Sequence, residues 1–304
     1  MSGFLKNIFP PGLHYVFLST LGFALMSACV KYVGSFGIPV FEIVAARALV
    51  SVLISYADVK RKHISIWGTN KPLLFARGLV GTIALICVYY ATTTLPLAEA
   101  TLLQYTHPVF TSLLAVIFLK EPIQGSTKIC LFLCLIGLFA VVSPAFMEQA
   151  VHELPLFSIA VALLGAFGSG IAYIIVRKLS QTEDSSVIIF YFPLVALPVS
   201  LILLGNDFIR PNLHLTFMLV LVGFFTQLGQ LGLTNAMRTL TAGKASAYSY
   251  LQIVFAVLIS VFIFKEIPPL CTYIGGALII SGALVNVLGP KVKTESGRKN
   301  AQIK

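Results

Sequence analysis

The stretch Leu95–Ile123, LPLAEATLLQYTHPVFTSLLAVIFLKEPI, occurs again 145 positions later as Leu240–Pro268, LTAGKASAYSYLQIVFAVLISVFIFKEIP. The two copies align without a gap, and Tyr105, Lys120 and Glu121 each coincide with an identical residue of the second copy. Both copies are long apolar runs that end in Lys-Glu. The repeat therefore predicts a membrane protein of two related halves that face each other across a pathway.

The composition of the chain indicates the same class of protein. Hydrophobic residues make up 58% of the sequence, charged residues only 11%, and the mean hydropathy is +0.94. A soluble domain of this size needs a far more charged surface. The five cysteines all lie in apolar segments, which is typical of small core residues, so we predict no disulfide framework, metal site or cofactor.

The apolar runs divide the chain into ten segments that approach the ~20 residues needed to cross a bilayer. They cover residues 12–34, 39–57, 73–94, 97–119, 126–146, 155–177, 187–205, 214–237, 243–264 and 269–289. We therefore expect an all-α integral membrane protein with ten transmembrane helices as two inverted five-helix repeats. The first repeat would cover 12–146 and the second 155–289, between a cytoplasmic N-terminus (1–11) and a basic cytoplasmic tail (290–304).

The positions of Lys and Arg predict the orientation. If the N-terminus is cytoplasmic, only Lys31, Arg210 and Lys265 fall on the outer side and Arg47 lies inside span two, which leaves 17 of the 21 basic residues on the inner side. The positive-inside rule then predicts a multi-pass protein of the cytoplasmic (inner) membrane with both termini in the cytoplasm. Topology and attraction to anionic lipid explain the net charge of +10 without nucleic-acid binding.

Three motifs in this framework identify a known family. They are Phe41–Arg47 (FEIVAAR) entering span two, Leu95–Ala100 (LPLAEA) between spans three and four, and the Lys-Glu that closes spans four and nine. Together with the ten spans they resemble the EamA-type permeases of the drug/metabolite transporter superfamily. The resemblance implies a central cavity lined mainly by spans one, three, four, six, eight and nine. It leaves the substrate open, because the family includes importers and exporters of amino acids, nucleoside-like metabolites, vitamins and toxic cations.

Polar side chains in these spans are the predicted lining of that cavity. They follow one stripe of span four (Thr101, Gln104, His107, Thr111), the equivalent positions of span nine (Ser246, Ser249, Gln252), and span eight (Gln227, Gln230). Ser and Thr often bond back to their own helix, whereas larger polar groups at mid-membrane need partners or water. His107 is the natural candidate for proton coupling, with a structural role as the alternative. Pro108, beside it, can kink the helix.

Aromatic and charged residues complete the predicted site. Tyr105 and Tyr250 form a symmetric pair that could stack on a planar or cationic substrate. Arg47, well inside span two, needs a carboxylate, carbonyls or water. Glu42 and Glu99 are its possible partners, and we expect a structural or gating role for these charges.

The motifs of several enzyme classes are missing from the sequence. Gly243-Lys244 lacks the pattern of a phosphate loop, and neither a His-Glu-x-x-His zinc site nor a complete nucleophile elbow occurs. We therefore predict a secondary transporter of a small organic metabolite that works by alternating access, as a monomer or homodimer in contact with membrane lipid, with protons as one candidate coupling ion. An exporter of amino acids or drug-like cations and a lipid flippase remain the alternatives.

Overall fold

The computed structural model describes residues 12–95, 101, 103–149, 156–263, 265 and 270–288, and in these ranges the regular structure is helical without strands. The predicted termini and the junction between the halves lie largely outside the described residues. The helices are α1 (Leu13–Gly34), α2 (Val40–Arg61), α3 (Lys71–Thr94), α4 (His107–Leu119), α5 (Gly125–Gln149), α6 (Leu156–Leu179), α7 (Ser185–Leu204), α8 (Leu213–Thr239), α9 (Ala242–Ala247), α10 (Leu251–Ile263) and α11 (Leu270–Leu288).

The prediction of an all-helical membrane protein is confirmed, but the count of ten spans is not. Among the described residues, seven helical runs are long and apolar enough to cross a membrane; one of them is Ala242–Ile263, which joins α9, a 3₁₀ turn and α10. Three further apolar helices are shorter: His107–Leu119, Gly125–Ala140 and Tyr273–Leu288. Large apolar side chains such as Phe118 are exposed on the helix surfaces, as expected where lipid is the solvent.

The helix packing has the symmetry of the sequence repeat. α1 packs on α8 as α3 packs on α6, while α2 pairs with α7 and α5 with α11. A shift of 145 residues relates two glycine contacts: a Cβ at Gly78 would lie 2.8 Å from Val195 Cγ2, and one at Gly223 would lie 2.4 Å from Val50 Cβ. Glycine therefore allows the same close helix crossing in both halves.

The Lys-Glu motif ends a helix in both repeats. Lys120 and Lys265 adopt left-handed backbone conformations, with φ of 54° and 55°. After α4, the amides of Lys120 and Glu121 both donate to the carbonyl of Ala115, the latter at 3.2 Å, and so satisfy a carbonyl of the last turn. The motif thus redirects the chain and places the glutamate of the first repeat beside the helix end.

The predicted span four is interrupted. The chain turns at Tyr105 and Thr106, and α4 begins at His107. Pro108 explains the break, because its ring cannot donate a backbone hydrogen bond and clashes with the carbonyl four residues earlier. In span nine, the equivalent interruption is a 3₁₀ turn over Tyr248–Tyr250. The two polar stripes expected on continuous helices therefore run across two breaks.

Candidate functional site

A cavity of roughly 380 Å³ lies between the two halves. Residues of α1, α3, α4, α6, α8, α9 and α10 line it, in agreement with the spans that the family resemblance implies. Spans two and seven also contribute, through Arg47 of α2 and Phe192 of α7. The volume suits a small organic molecule.

Six of the eight residues expected to bind substrate line this cavity: Gln104, Tyr105, His107, Gln230, Ser249 and Gln252. Three of them carry buried atoms without a hydrogen-bond partner among the described residues, namely Gln104 Oε1, His107 Nδ1 and Ser249 Oγ. Buried polar atoms are normally bonded to protein or water. These three atoms are therefore unsatisfied in this conformation, and a rotation of their side chains would let a ligand or water in the cavity reach them.

The other two, Gln227 and Tyr250, are not among the lining residues. Gln227 is buried in α8, where its Nε2 donates to Ser55 Oγ at 2.8 Å and joins α8 to α2. The Tyr250 hydroxyl donates to the backbone carbonyl of Tyr105 at 2.8 Å. The break before α4 exposes that carbonyl, because the amide of Val109 bonds to Thr106 instead. The symmetric tyrosines thus fasten the two interruptions together, with their rings stacked 6.2 Å apart.

Two arginines reach the same wall of the cavity. The guanidinium carbon of Arg77 lies 4.9 Å from the centre of the Phe192 ring and that of Arg47 lies 5.8 Å from it. The two guanidinium groups are therefore no further apart than the sum of these distances, 10.7 Å. Cation–π contact with one ring accommodates both charges but neutralises neither.

Glu42, one of the two possible partners of Arg47, bonds elsewhere. The Glu42 carboxylate is buried at the start of α2 and accepts the backbone amide of Ile209 at 2.9 Å, so it anchors the loop after α7. Among the described residues, Arg47 Nη1 lies 3.9 Å from the thioether sulfur of Met26, which is a weak acceptor. Glu99, the other predicted partner, lies outside the described residues.

Sequence reasoning missed Arg77 as a site residue. The topology assigns Arg77 to the 17 basic residues of the inner side, yet it lies within α3 and is only 5% exposed. A signal was present in the sequence. The apolar run that begins soon after Arg77 is long, which could have shown that Arg77 lies within the span. Arg177, counted in the same way, is also buried.

An ion pair between a buried arginine and a partly exposed glutamate joins helices at one end of the bundle. Arg177 on α6 and Glu121 after α4 are joined by two bonds, from Nε at 2.8 Å and from Nη2 at 2.7 Å. The other carboxylate oxygen accepts the amide of Ala242 at 2.7 Å, and Arg177 also donates to the carbonyl of Met237 at 2.6 Å. The pair thus ties α4 and α6 to the junction of α8 and α9. We call these four residues the latch.

Loops at the same end are joined by further polar contacts. Glu183 accepts the amides of Thr69 and Asn70 at 2.8 and 2.7 Å, and Lys62 bonds Asp184 at 2.9 Å. Burial alone would raise the pKa of Glu183, but these hydrogen bonds outweigh it and lower the pKa. Burial alone would lower the pKa of Lys62, but its contacts with Asp184 and Asp58 outweigh burial and raise the pKa. The α2–α3 and α6–α7 loops are thereby held together.

Two hydroxyl side chains of α4 bond to their own helix. Thr111 and Ser112 donate to carbonyls four residues earlier in α4, at 2.8 Å each, as short hydroxyl side chains often do in apolar helices. The five cysteines are free. The part of the chain that the structure describes contains no group of three or more His, Cys, Asp or Glu residues able to hold a metal ion.

The fold and cavity define a polytopic membrane transporter built from two related halves. The EamA-like transporter family model matches the chain twice, over residues 10–143 and 156–288. This protein belongs to the EamA-like transporter family.

Individual relatives give the same class. The pseudopaline exporter of Pseudomonas aeruginosa is 30% identical over 276 residues, which is 90% of this chain and 95% of that protein. Solute carrier family 35 member G1 of Mus musculus is 30% identical over 88% of this chain and 76% of its own length. An S-adenosylmethionine uptake transporter of Rickettsia bellii is 25% identical over 92% of this chain and 94% of its own length. The chain is thus a membrane transporter of small metabolites.

One solved crystal structure has the same fold. It superposes with a TM-score of 0.78 at 17% identity and covers 90% of this chain and 95% of the solved one. At this identity the likeness concerns the fold alone.

Proposed function

We propose that the protein is a secondary transporter that moves a small organic metabolite across the cytoplasmic membrane by alternating access between two inverted five-helix halves. The observation that carries the proposal is the cavity between the halves, which lies beside a pseudo-symmetric tyrosine contact, and the latch joins helices of both halves at one end of the bundle. A central site that each end can close in turn is what alternating access requires.

The two ends of the protein differ in a way that favours a gating cycle. A shift of 145 residues relates Arg177 to Tyr32 and Glu121 to Glu266, so the sequence provides the arginine of this pair in only one copy. Tyr32 instead lies 3.2 Å from His214 in an exposed contact between α1 and α8. At the latch end, the described residues form a charged contact between the halves, and opening that end requires breaking it.

The basic residues favour a topology with both termini in the cytoplasm, which makes the latch the inner gate. His107 is the candidate for proton coupling, since its Nδ1 faces no described partner and the ring packs edge-on against Tyr173 at 5.1 Å. The transporter would act as a monomer or homodimer.

Transport by purified protein in liposomes tests the proposal. We expect saturable flux of a metabolite that depends on the protein, and a pH dependence that His107→Gln flattens if protons are coupled. Movement of labelled lipid with no solute flux would instead favour the flippase alternative. Failure of both assays with folded protein would refute a transport function.

A further inference from the structure

Resting on this proposed function, we propose that Arg47 and Arg77 form an anion-binding pair that selects substrates carrying a carboxylate or phosphate group. Both side chains line the cavity, and both contact the ring of Phe192. The substrate is therefore an organic anion or a zwitterion held by its acidic group, and drug-like cations are excluded.

Of the two arginines, Arg77 gives the stronger evidence that a ligand binds. Its side chain is 5% exposed, and neither Nε nor Nη1 has a hydrogen-bond partner among the described residues. Removing a guanidinium from water is costly unless it is paired or hydrogen-bonded, and intramembrane charges are retained where they serve a pathway. An anion that enters the cavity would supply an acceptor and a counter-charge to this guanidinium.

The surroundings of the pair favour an anion over a cation. No Asp or Glu occurs among the described residues that line the cavity, so its field is positive. Tyr248 adds a hydroxyl that is fully buried and has no described partner. A cationic substrate would meet two like charges and no described counter-charge.

The local backbone is shaped to hold Arg77 in place. A Cβ built on Gly81, one turn further along α3, would lie 2.2 Å from Arg77 Nη1. The guanidinium therefore lies against the glycine where any side chain would displace it. Glycine weakens a helix by about 1 kcal/mol relative to alanine, so its presence here has a geometric purpose: it keeps the charge beside Phe192.

The first test measures thermal unfolding of the full-length protein in nanodiscs with citrate, L-glutamate or inorganic phosphate, against sodium chloride of equal ionic strength. We expect at least one of these anions to raise the unfolding temperature more than chloride does. Arg77→Gln should weaken its apparent affinity at least about tenfold, as expected for loss of a charge-assisted hydrogen bond. Arg210→Gln, which removes an exposed charge, should leave the affinity unchanged.

A second variant separates geometry from charge. Gly81→Ala keeps the charge of Arg77 but must displace its guanidinium, so the anion effect should weaken as it does in Arg77→Gln. Gly276→Ala is the matched control, because a Cβ at this helical glycine meets nothing within 4 Å. An anion response that is equal in Gly81→Ala and wild type would contradict the positioning role.

The ligand-free proteins distinguish binding from structure. An unpaired buried charge does not stabilise the fold, so Arg77→Gln without added anion should unfold at the wild-type temperature or above it. A large loss of stability would assign Arg77 a structural role and overturn the proposal. So would the absence of an anion-specific shift with all three probes.

Failure of this inference is distinguishable from failure of the transport function. Liposomes that carry a neutral or cationic solute without competition from the three anions would refute the anion pair and leave the transporter intact. Liposomes that carry no solute would refute transport, while the binding measurements would still report on the pair.

Discussion

Neutralising the carboxylate of the latch should open that end of the transporter. In Glu121→Gln the side chain keeps its size but cannot accept from both Nε and Nη2 of Arg177 and from the Ala242 amide as the carboxylate does, at 2.7 to 2.8 Å. Arg177 keeps the carbonyl of Met237. Removing one partner of a buried ion pair costs about 3–5 kcal/mol, and the retained carbonyl reduces this to about 3 kcal/mol, the lower limit.

This free-energy cost destabilises only the closed conformation, because both side chains would be solvated in an open one. A change of 1.4 kcal/mol is tenfold in an equilibrium constant, so ~3 kcal/mol corresponds to roughly a 100-fold shift towards the open form. Alkylation of a cysteine placed at Ala245, which lines the cavity and is 5% exposed, would report the shift in a background without the five native cysteines. The rate of reaction with an impermeant maleimide added at the latch side should rise accordingly.

Two controls test whether the change in alkylation rate comes from the ion pair of the latch. Asp207→Asn removes an exposed carboxylate from the loop before α8 and should leave the alkylation rate unchanged. A double variant, Glu121→Gln with Arg177→Gln, should recover part of the loss, because the largest cost is the unpaired buried charge. The reasoning is refuted if Glu121→Gln reacts at the wild-type rate while remaining folded.

Three further predictions concern packing, pH and transport. Gly232→Ala should destabilise the protein by about 1–3 kcal/mol, since its Cβ would lie 2.4 Å from the backbone of α1, whereas Gly276→Ala should not; thermal unfolding in detergent measures both. Because the pKa of Glu183 is lowered in the folded state, its contribution is present above the ordinary glutamate pKa and lost as pH falls through the lowered one, so the unfolding temperatures of wild type and Glu183→Gln should converge only on acidification below the ordinary value. Gln104→Ala and Gln252→Ala should both impair flux in folded protein, and normal flux in both would remove these residues from the site.

The family and the helical fold follow directly from the sequence, since apolar length and an internal repeat are local properties that depend on no contact between distant residues. The polar lining could be predicted for a similar reason. Gln104 and Gln252 lie in the interior of apolar runs, where a large amide finds few hydrogen-bond partners within its own helix. Thr111, in the same stripe, was less predictable, because a hydroxyl can bond to its own helix.

The structure differs from the expectations at charged and amide side chains whose partners lie far away in sequence. Glu42 was one possible partner of Arg47, at a spacing that is poor for direct contact within a helix, but its carboxylate accepts the amide of Ile209, 167 residues away. Gln227 was expected in the cavity but bonds to Ser55, which lies 172 residues away. No pattern within one helix encodes such a pairing.

Residue order alone is enough to identify a two-part membrane transporter, because bilayer thickness and backbone hydrogen bonding leave an apolar chain few alternatives. Which polar groups meet depends on how the helices pack. The tertiary structure brought Arg77 and Arg47 to one aromatic ring, joined Arg177 to Glu121, and fastened the two helix breaks through Tyr250. The physical reason is that such contacts depend on the crossing of helices from opposite halves, and that geometry is set by close packing at small residues along the whole interface.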